Sequence, residues 1–121
     1  MGLNYIALLG NVIQNPELRF TAGGTPVGKF SVAVERPVKD GSESIIDYIK
    51  VAVYGKLAEN ITKNFKKGEL VSIEGRLITK LYERNKTIEV EAFSVNSIKD
   101  KKFFSQLEDK KEKVMEEELP F

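Results

Sequence analysis

Apolar and polar residues alternate with a period of two through most of the first hundred positions, the pattern of half-buried strands. Asn4 to Ile13 departs from it. Ile6 and Leu8 share one face and Ala7 and Leu9 the other, so both faces are apolar. This suggests burial on both sides and points to another subunit as one of the covers. Asn15-Pro16 marks a turn, Glu17 to Thr21 resumes extended structure, and Gly23-Gly24-Thr25-Pro26 turns again. Val27 to Arg36 alternates cleanly, with Phe30, Val32 and Val34 inward and Lys29, Ser31, Ala33 and Glu35 outward. Pro37 to Ser44 is a polar loop whose Asp40-Gly41 is a hairpin signal.

Ile45 to Tyr54 is the next strand, ended by Gly55. Lys56 to Lys66 then takes a helical period, with Leu57, Ala58, Ile61 and Phe65 on one stripe. Gly68 suits the position just past the helix, and Lys66 and Lys67 suit its negative end. Glu69 to Tyr82 is a long strand with a bend expected at Gly75. Arg84-Asn85 is read as a tight turn, after which Thr87 to Ile98 returns. The apolar phase of that last strand switches from Ile88, Val90 and Ala92 to Phe93 and Val95, which predicts a bulge.

Three strands, a helix and two strands fit an all-β fold, a five-stranded OB-fold barrel with its helix between strands 3 and 4. A generic five-stranded barrel without binding function fits the same order, because fold does not fix function. The expected division is a barrel domain over 1–99 and a charged tail over 100–121. Phe103, Phe104 and Leu107 read as a short turn packed on the body, and Lys110 to Glu118 as flexible and disordered for want of apolar residues.

Composition narrows the chemistry. The net charge is +1, with 13 Lys and Arg against 11 acids through Ile98, and 6 against 7 from Lys99 onward. Any nucleic-acid affinity must therefore come from where the cations sit and from uncharged contacts. There is no Cys or His, so disulfides, thiol nucleophiles and the commonest zinc ligands are excluded. No metal or cofactor is expected. No apolar run approaches a membrane span, and the N-terminus lacks a secretory pattern, so no membrane association and a cytoplasmic, nucleoid-associated location are expected. Asn60 and Asn85 then head chance glycosylation sequons.

In Ile45 to Tyr54, the residues Ile45, Ile49, Val51 and Val53 share the inward parity, while Tyr48, Lys50, Ala52 and Tyr54 point outward. Tyr48 and Tyr54 are roughly 20 Å apart along such a strand, room for several nucleotides. In Glu69 to Tyr82, Val71, Ile73 and Leu77 share one parity. Ser72, Glu74, Arg76, Lys80 and Tyr82 share the other, with Ile78 as an exception. Aromatic rings interleaved with cations on a sheet face suit single-stranded nucleic acid, since rings stack on any base and cations follow phosphates. Cross-strand pairing for sheet stability is the competing explanation for each tyrosine alone.

Gly23 to Lys29 has P-loop spacing, but Phe30 replaces the required Ser or Thr and a strand follows, which excludes a nucleotide-hydrolysing site. Asp47 and Glu74 read as isolated surface charges, and no nucleophile–base pair stands out, so no enzyme activity is expected. The final residues Glu116-Glu117-Glu118-Leu119-Pro120-Phe121 combine an acid block, a restrained extended segment and a terminal carboxylate on an aromatic residue. They read as a docking peptide for a pocket with a basic rim. An incidental acidic terminus is the alternative.

Leu9-Gly10-Asn11, Asn15-Pro16-Glu17-Leu18-Arg19-Phe20, Tyr54-Gly55-Lys56-Leu57-Ala58-Glu59, Lys67-Gly68, Ile73-Glu74-Gly75-Arg76-Leu77 and the terminal Glu-Leu-Pro-Phe run in order along nearly the whole chain. In these pieces it resembles bacterial-type single-stranded DNA-binding proteins. The resemblance implies an OB-fold homotetramer that wraps single-stranded DNA without sequence preference. It also implies an acidic tip that recruits replication, recombination and repair enzymes. It puts the stacking aromatics at Tyr48, Tyr54 and Tyr82, and phosphate contacts at Lys50, Lys56, Lys66, Lys67, Arg76 and Lys80. A tryptophan common in that family falls at Val38, and this chain has none. An RNA-binding OB protein and an assembly barrel using its tyrosine face for protein contact remain the alternatives.

Overall fold

The computed structural model describes residues 1–37 and 44–98. The Asp40-Gly41 loop, Val38, the expected turn at Phe103 to Leu107 and the acidic tip lie outside the described residues. Six strands and one helix follow in the order β1 (Ile6–Val12), β2 (Glu17–Phe20), β3 (Pro26–Arg36), β4 (Ile45–Tyr54), α1 (Lys56–Asn64), β5 (Leu70–Tyr82) and β6 (Asn85–Ser97).

The sheet order is β1-β5-β6-β4-β3-β2, and a β1–β3 pairing closes it into a barrel. β1 and β2 lie end to end against β3, through Asn11↔Ala33 and Val12↔Val32 and then Glu17↔Lys29 to Phe20↔Pro26. They act as one stave interrupted at the Asn15-Pro16 turn, so the closed barrel has the five staves of an OB-fold. The pairing of β4 with β6 is parallel, at Val51↔Val90 and Ala52↔Glu91, and the other pairings are antiparallel.

Inward side chains from the staves form the core: Val12, Phe30, Val32, Val51, Val53, Val71, Ile73, Val90, Ala92 and Val95 are all buried. Ala58 and Ile61 of α1 close one end, with Leu57 and Phe65 packed beside them. The helix is two residues shorter than its apolar period predicts. Phe65 leaves it in an extended conformation (φ −105°, ψ 143°) and still packs against the core. Gly68 is therefore not the helix cap. Its φ of +96° serves the turn in which the Glu69 N–H donates to the Lys66 carbonyl at 3.2 Å. Its own N–H donates to Val12 at 2.7 Å, tying that turn to β1.

The expected bulge is present. Glu74 pairs with Ser94 but Gly75 pairs with Ala92, so Phe93 is the extra residue on β6. The bulge moves the buried positions from Val90 and Ala92 to Val95, and Phe93 itself turns outward. Gly75 is needed beside it: a Cβ there would lie 2.3 Å from the Glu91 carbonyl oxygen.

The β5–β6 turn falls one residue earlier than read from sequence. Tyr82 pairs with Asn85, leaving Glu83 (φ 45°) and Arg84 (φ 74°) as its two central residues. The strand parity also weakens where the hairpins extend past the barrel. Ile45, Leu77 and Ile88 keep inward parity but are substantially exposed, since no opposing stave covers them. Ala52 does the reverse: it has outward parity, yet it is fully buried between its register neighbours Lys29 and Glu91. On β1, Ala7 is exposed and Leu9 half-buried, so the described residues do not cover that second apolar face.

Candidate nucleic-acid interface

β3 and β4 run antiparallel with Tyr48 opposite Ala33, Lys50 opposite Ser31, Ala52 opposite Lys29 and Tyr54 opposite Val27. These residues share the outer face of the barrel, since directly paired residues project to the same side. The tip of β5 brings Tyr82 to this face. The Lys29 Nζ donates to the Tyr82 hydroxyl at 3.2 Å and lies 5.7 Å from the ring centroid. A matching contact joins the other pair: the Lys80 Nζ donates to the Tyr54 hydroxyl at 3.1 Å and lies 5.8 Å from that ring. Each of these two tyrosines thus carries a cation at its hydroxyl edge.

Between them sits Glu89. The Tyr82 hydroxyl donates to its Oε1 at 3.2 Å, and the Lys80 Nζ is 3.6 Å from its Oε2. The Lys80 ammonium is held above its ordinary pKa, first by the hydrogen bond to Tyr54. Burial works against this, and the charge of Glu89 and the two tyrosines add to it. A groove of about 330 Å³ opens here, with Gln14, Lys29, Ser31, Lys50, Tyr82 and Glu89 as its polar lining. An apolar ring edge beside flexible cations along an open groove can receive a base and its phosphate together.

Tyr54, Tyr82, Lys50 and Lys80 are therefore brought together. Tyr48 is on the same strand and face, two residues from Lys50, and is 67% exposed. Arg76 lies on the outer face of β5 but is already paired to Glu91 at 2.9 Å. Lys56 begins α1. Lys66 and Lys67 lie in the turn before β5, and the Lys67 backbone N–H donates to Asn15 Oδ1 at 2.9 Å. Among the described residues no hydrogen bond or ring contact joins those three lysines to the tyrosines.

Lys29 and Glu89 were not picked out from sequence. Lys29 has outward parity, but only the strand register places it beside Tyr82. Nothing in Thr87-Ile88-Glu89-Val90 marks the acid as buried. Asp47 and Glu74 are not isolated. Arg36 forks onto Asp47 with contacts of 2.6 and 3.0 Å, and the hydrogen bonds hold the Asp47 carboxyl below its ordinary pKa. The Tyr5 hydroxyl donates to Glu74 at 2.6 Å and is pushed up in pKa, first by that bond. Among the described residues no cluster of His, Cys, Asp or Glu could hold a metal ion, and no helix is long and apolar enough to cross a membrane.

Residues 3–101 match the model of the "Single-strand binding protein family". The chain belongs to that family. It is 42% identical over 84 residues to "Single-stranded DNA-binding protein 3" of Listeria innocua, covering 69% of this chain and 52% of that one. It is 39% identical over 84 residues to the "Single-stranded DNA-binding protein" of Halalkalibacterium halodurans, covering 69% and 50%. With "Single-stranded DNA-binding protein A" of Bacillus subtilis the identity is 36% over 105 residues, covering 82% and 61%. The chain thus spans about half the length of the first two relatives. The family match runs across every strand and the helix, so it includes the groove and both tyrosine–lysine pairs.

Proposed function

We propose that this chain binds single-stranded DNA without sequence preference, and so protects and organises it during replication, recombination and repair. The observation that carries this reading is the pair of tyrosines, Tyr54 and Tyr82, each with a lysine at its hydroxyl, the Tyr82–Lys29 pair lining an open groove and the Tyr54–Lys80 pair joined to it through Glu89. The rings of Tyr48, Tyr54 and Tyr82 stack on bases, at about 1–3 kcal/mol per base. Lys50 and Lys29 in the groove contact phosphates, joined by Lys80 beside it. Lys56, Lys66, Lys67 and Arg76 extend the phosphate path beyond it. Membership of the single-strand binding family and the names of the relatives support the same ligand.

Residues 1–99 form the binding domain and 100–121 a tail whose Glu116 to Phe121 recruits partner enzymes, an assignment supported by the sequence of that segment. Four copies assemble as a homotetramer. The outer face of β1, which the described residues leave open, supplies apolar surface for such contacts with Ala7, Leu9 and the neighbouring Tyr5 and Phe93. DNA binding places the protein with the nucleoid.

The test is a titration of labelled oligo-dT, with duplex DNA of the same length as competitor. Tight stoichiometric binding that duplex does not displace supports the reading, and the occluded length reports the wrapping. Equal preference for duplex, or none for either, overturns it.

A further inference from the structure

Glu89 is the one buried charged side chain among the described residues, at 5% exposure. Burying a carboxylate is costly unless it is paired and hydrogen-bonded. Its pairing is incomplete. Oε1 accepts from Tyr82, while Oε2 has no hydrogen bond, only the Lys80 ammonium at 3.6 Å. A residue placed there for stability alone would be an apolar one, as at the buried neighbour Val90. The contacts instead form one continuous chain: Lys29 to Tyr82, Tyr82 to Glu89, Glu89 to Lys80, and Lys80 to Tyr54. Glu89 is its only fixed point, because the lysines and tyrosines around it are all at least partly exposed.

We propose that Glu89 is a positioning residue for single-stranded DNA: through Tyr82 on one oxygen and Lys80 on the other, it holds the Tyr82 and Tyr54 rings in one pre-formed arrangement for bases. This rests on the groove being the single-strand site. Glu89 does not touch the ligand. It lowers the entropy lost when two exposed rings and their lysines order around a strand. Each link acts on its own side of Glu89: losing the Lys80 contact releases the Tyr54 ring, and losing the Tyr82 contact releases the Tyr82 ring.

The coupling of each ring to Glu89 is measured by double-mutant cycles. Tyr54→Phe and Tyr82→Phe keep both rings and delete only the hydroxyl links. Each should weaken oligo-dT binding about threefold, and the double variant by about the product of the two losses, because the two arms meet only at the fixed Glu89. Glu89→Gln keeps the shape but cannot pair with Lys80. It should weaken binding by a similar factor with an unchanged salt slope, and adding Tyr54→Phe to it should cost nothing further. Multiplicative losses for Glu89→Gln combined with Tyr54→Phe, or no loss in any variant, overturn the proposal. So does tighter binding by Glu89→Gln with a steeper salt slope, which would make Glu89 a brake on Lys80 instead. If Glu89→Gln does not fold, the two tyrosine variants alone decide.

A wild type that fails to bind oligo-dT removes the single-strand reading itself. Glu89 is then judged in the free protein, by side-chain relaxation of the two tyrosine rings. The Tyr54 ring should loosen in Glu89→Gln, and an unchanged Tyr54 ring overturns the proposal.

Discussion

Lys80 and Tyr54 lie on different strands, β5 and β4, that do not pair with each other, yet the lysine ammonium donates to the tyrosine hydroxyl at 3.1 Å. β6 runs between them and makes the contact possible: it pairs antiparallel with β5 and parallel with β4. The two side chains therefore reach over the outer face of β6, above Glu89.

Arg76 and Lys29 are both outward cations on this barrel, but they should behave differently. Arg76 is neutralised by Glu91 at 2.9 Å, whereas Lys29 donates to an uncharged hydroxyl. Lys29→Ala should reduce the slope of log affinity against log salt by about one. Arg76→Ala should reduce it by clearly less. Titrations at four salt concentrations measure both, and equal slopes for the two variants would contradict the assignment.

Tyr48 is exposed and its side chain makes no hydrogen bond among the described residues, so it is a clean probe of stacking. Tyr48→Ala should weaken binding by about 1–3 kcal/mol, similarly for oligo-dT and oligo-dC. Its melting temperature should stay near that of the wild type. Normal DNA binding by this variant would remove Tyr48 from the surface that receives bases.

The Glu83-Arg84 turn holds two non-glycine residues at positive φ. Such turns favour Asn-Gly, which adopts these angles at little cost. The double substitution Glu83→Asn with Arg84→Gly should stabilise the protein by about 1 kcal/mol in urea unfolding. No gain would mean that the φ values are relieved by contacts elsewhere.

Asp47 is held below its unfolded pKa of 3.8 by Arg36. A carboxyl with a lowered folded pKa stabilises the fold above its unfolded pKa, and that contribution fades as pH falls through the folded value. Asp47→Asn should therefore melt below the wild type at pH 6, and the difference should close as the pH is taken below 3.8. Melting curves across this range check the sign.

Gly75 packs against β6 with no room for a side chain. Gly75→Ala places a Cβ 2.3 Å from the Glu91 oxygen and 2.8 Å from the Ala92 Cα. Both obstacles are backbone, so the bulge itself must move. A loss of about 2–3 kcal/mol in chemical unfolding is expected.

Short-range chemistry determined much of this protein. The period-two alternation located the strands, the helical stripe located α1, and the phase switch around Phe93 located the bulge, because each depends on neighbouring positions along the chain. The outward parity of Tyr48, Lys50 and Tyr54 was legible for the same reason. Partners were not. Pairing of β3 with β4 set Lys29 beside the groove, and the β5–β6 arm carried Tyr82 onto it. Burial turned Glu89 from an ordinary polar position into the link between two tyrosines. The ends of the hairpins also departed from parity, as Leu77 and Ile88 show, because burial needs an opposing layer as well as a direction. What a side chain faces follows from its own strand. What it meets is decided by closure of the barrel, which joins residues far apart in sequence at a few ångströms.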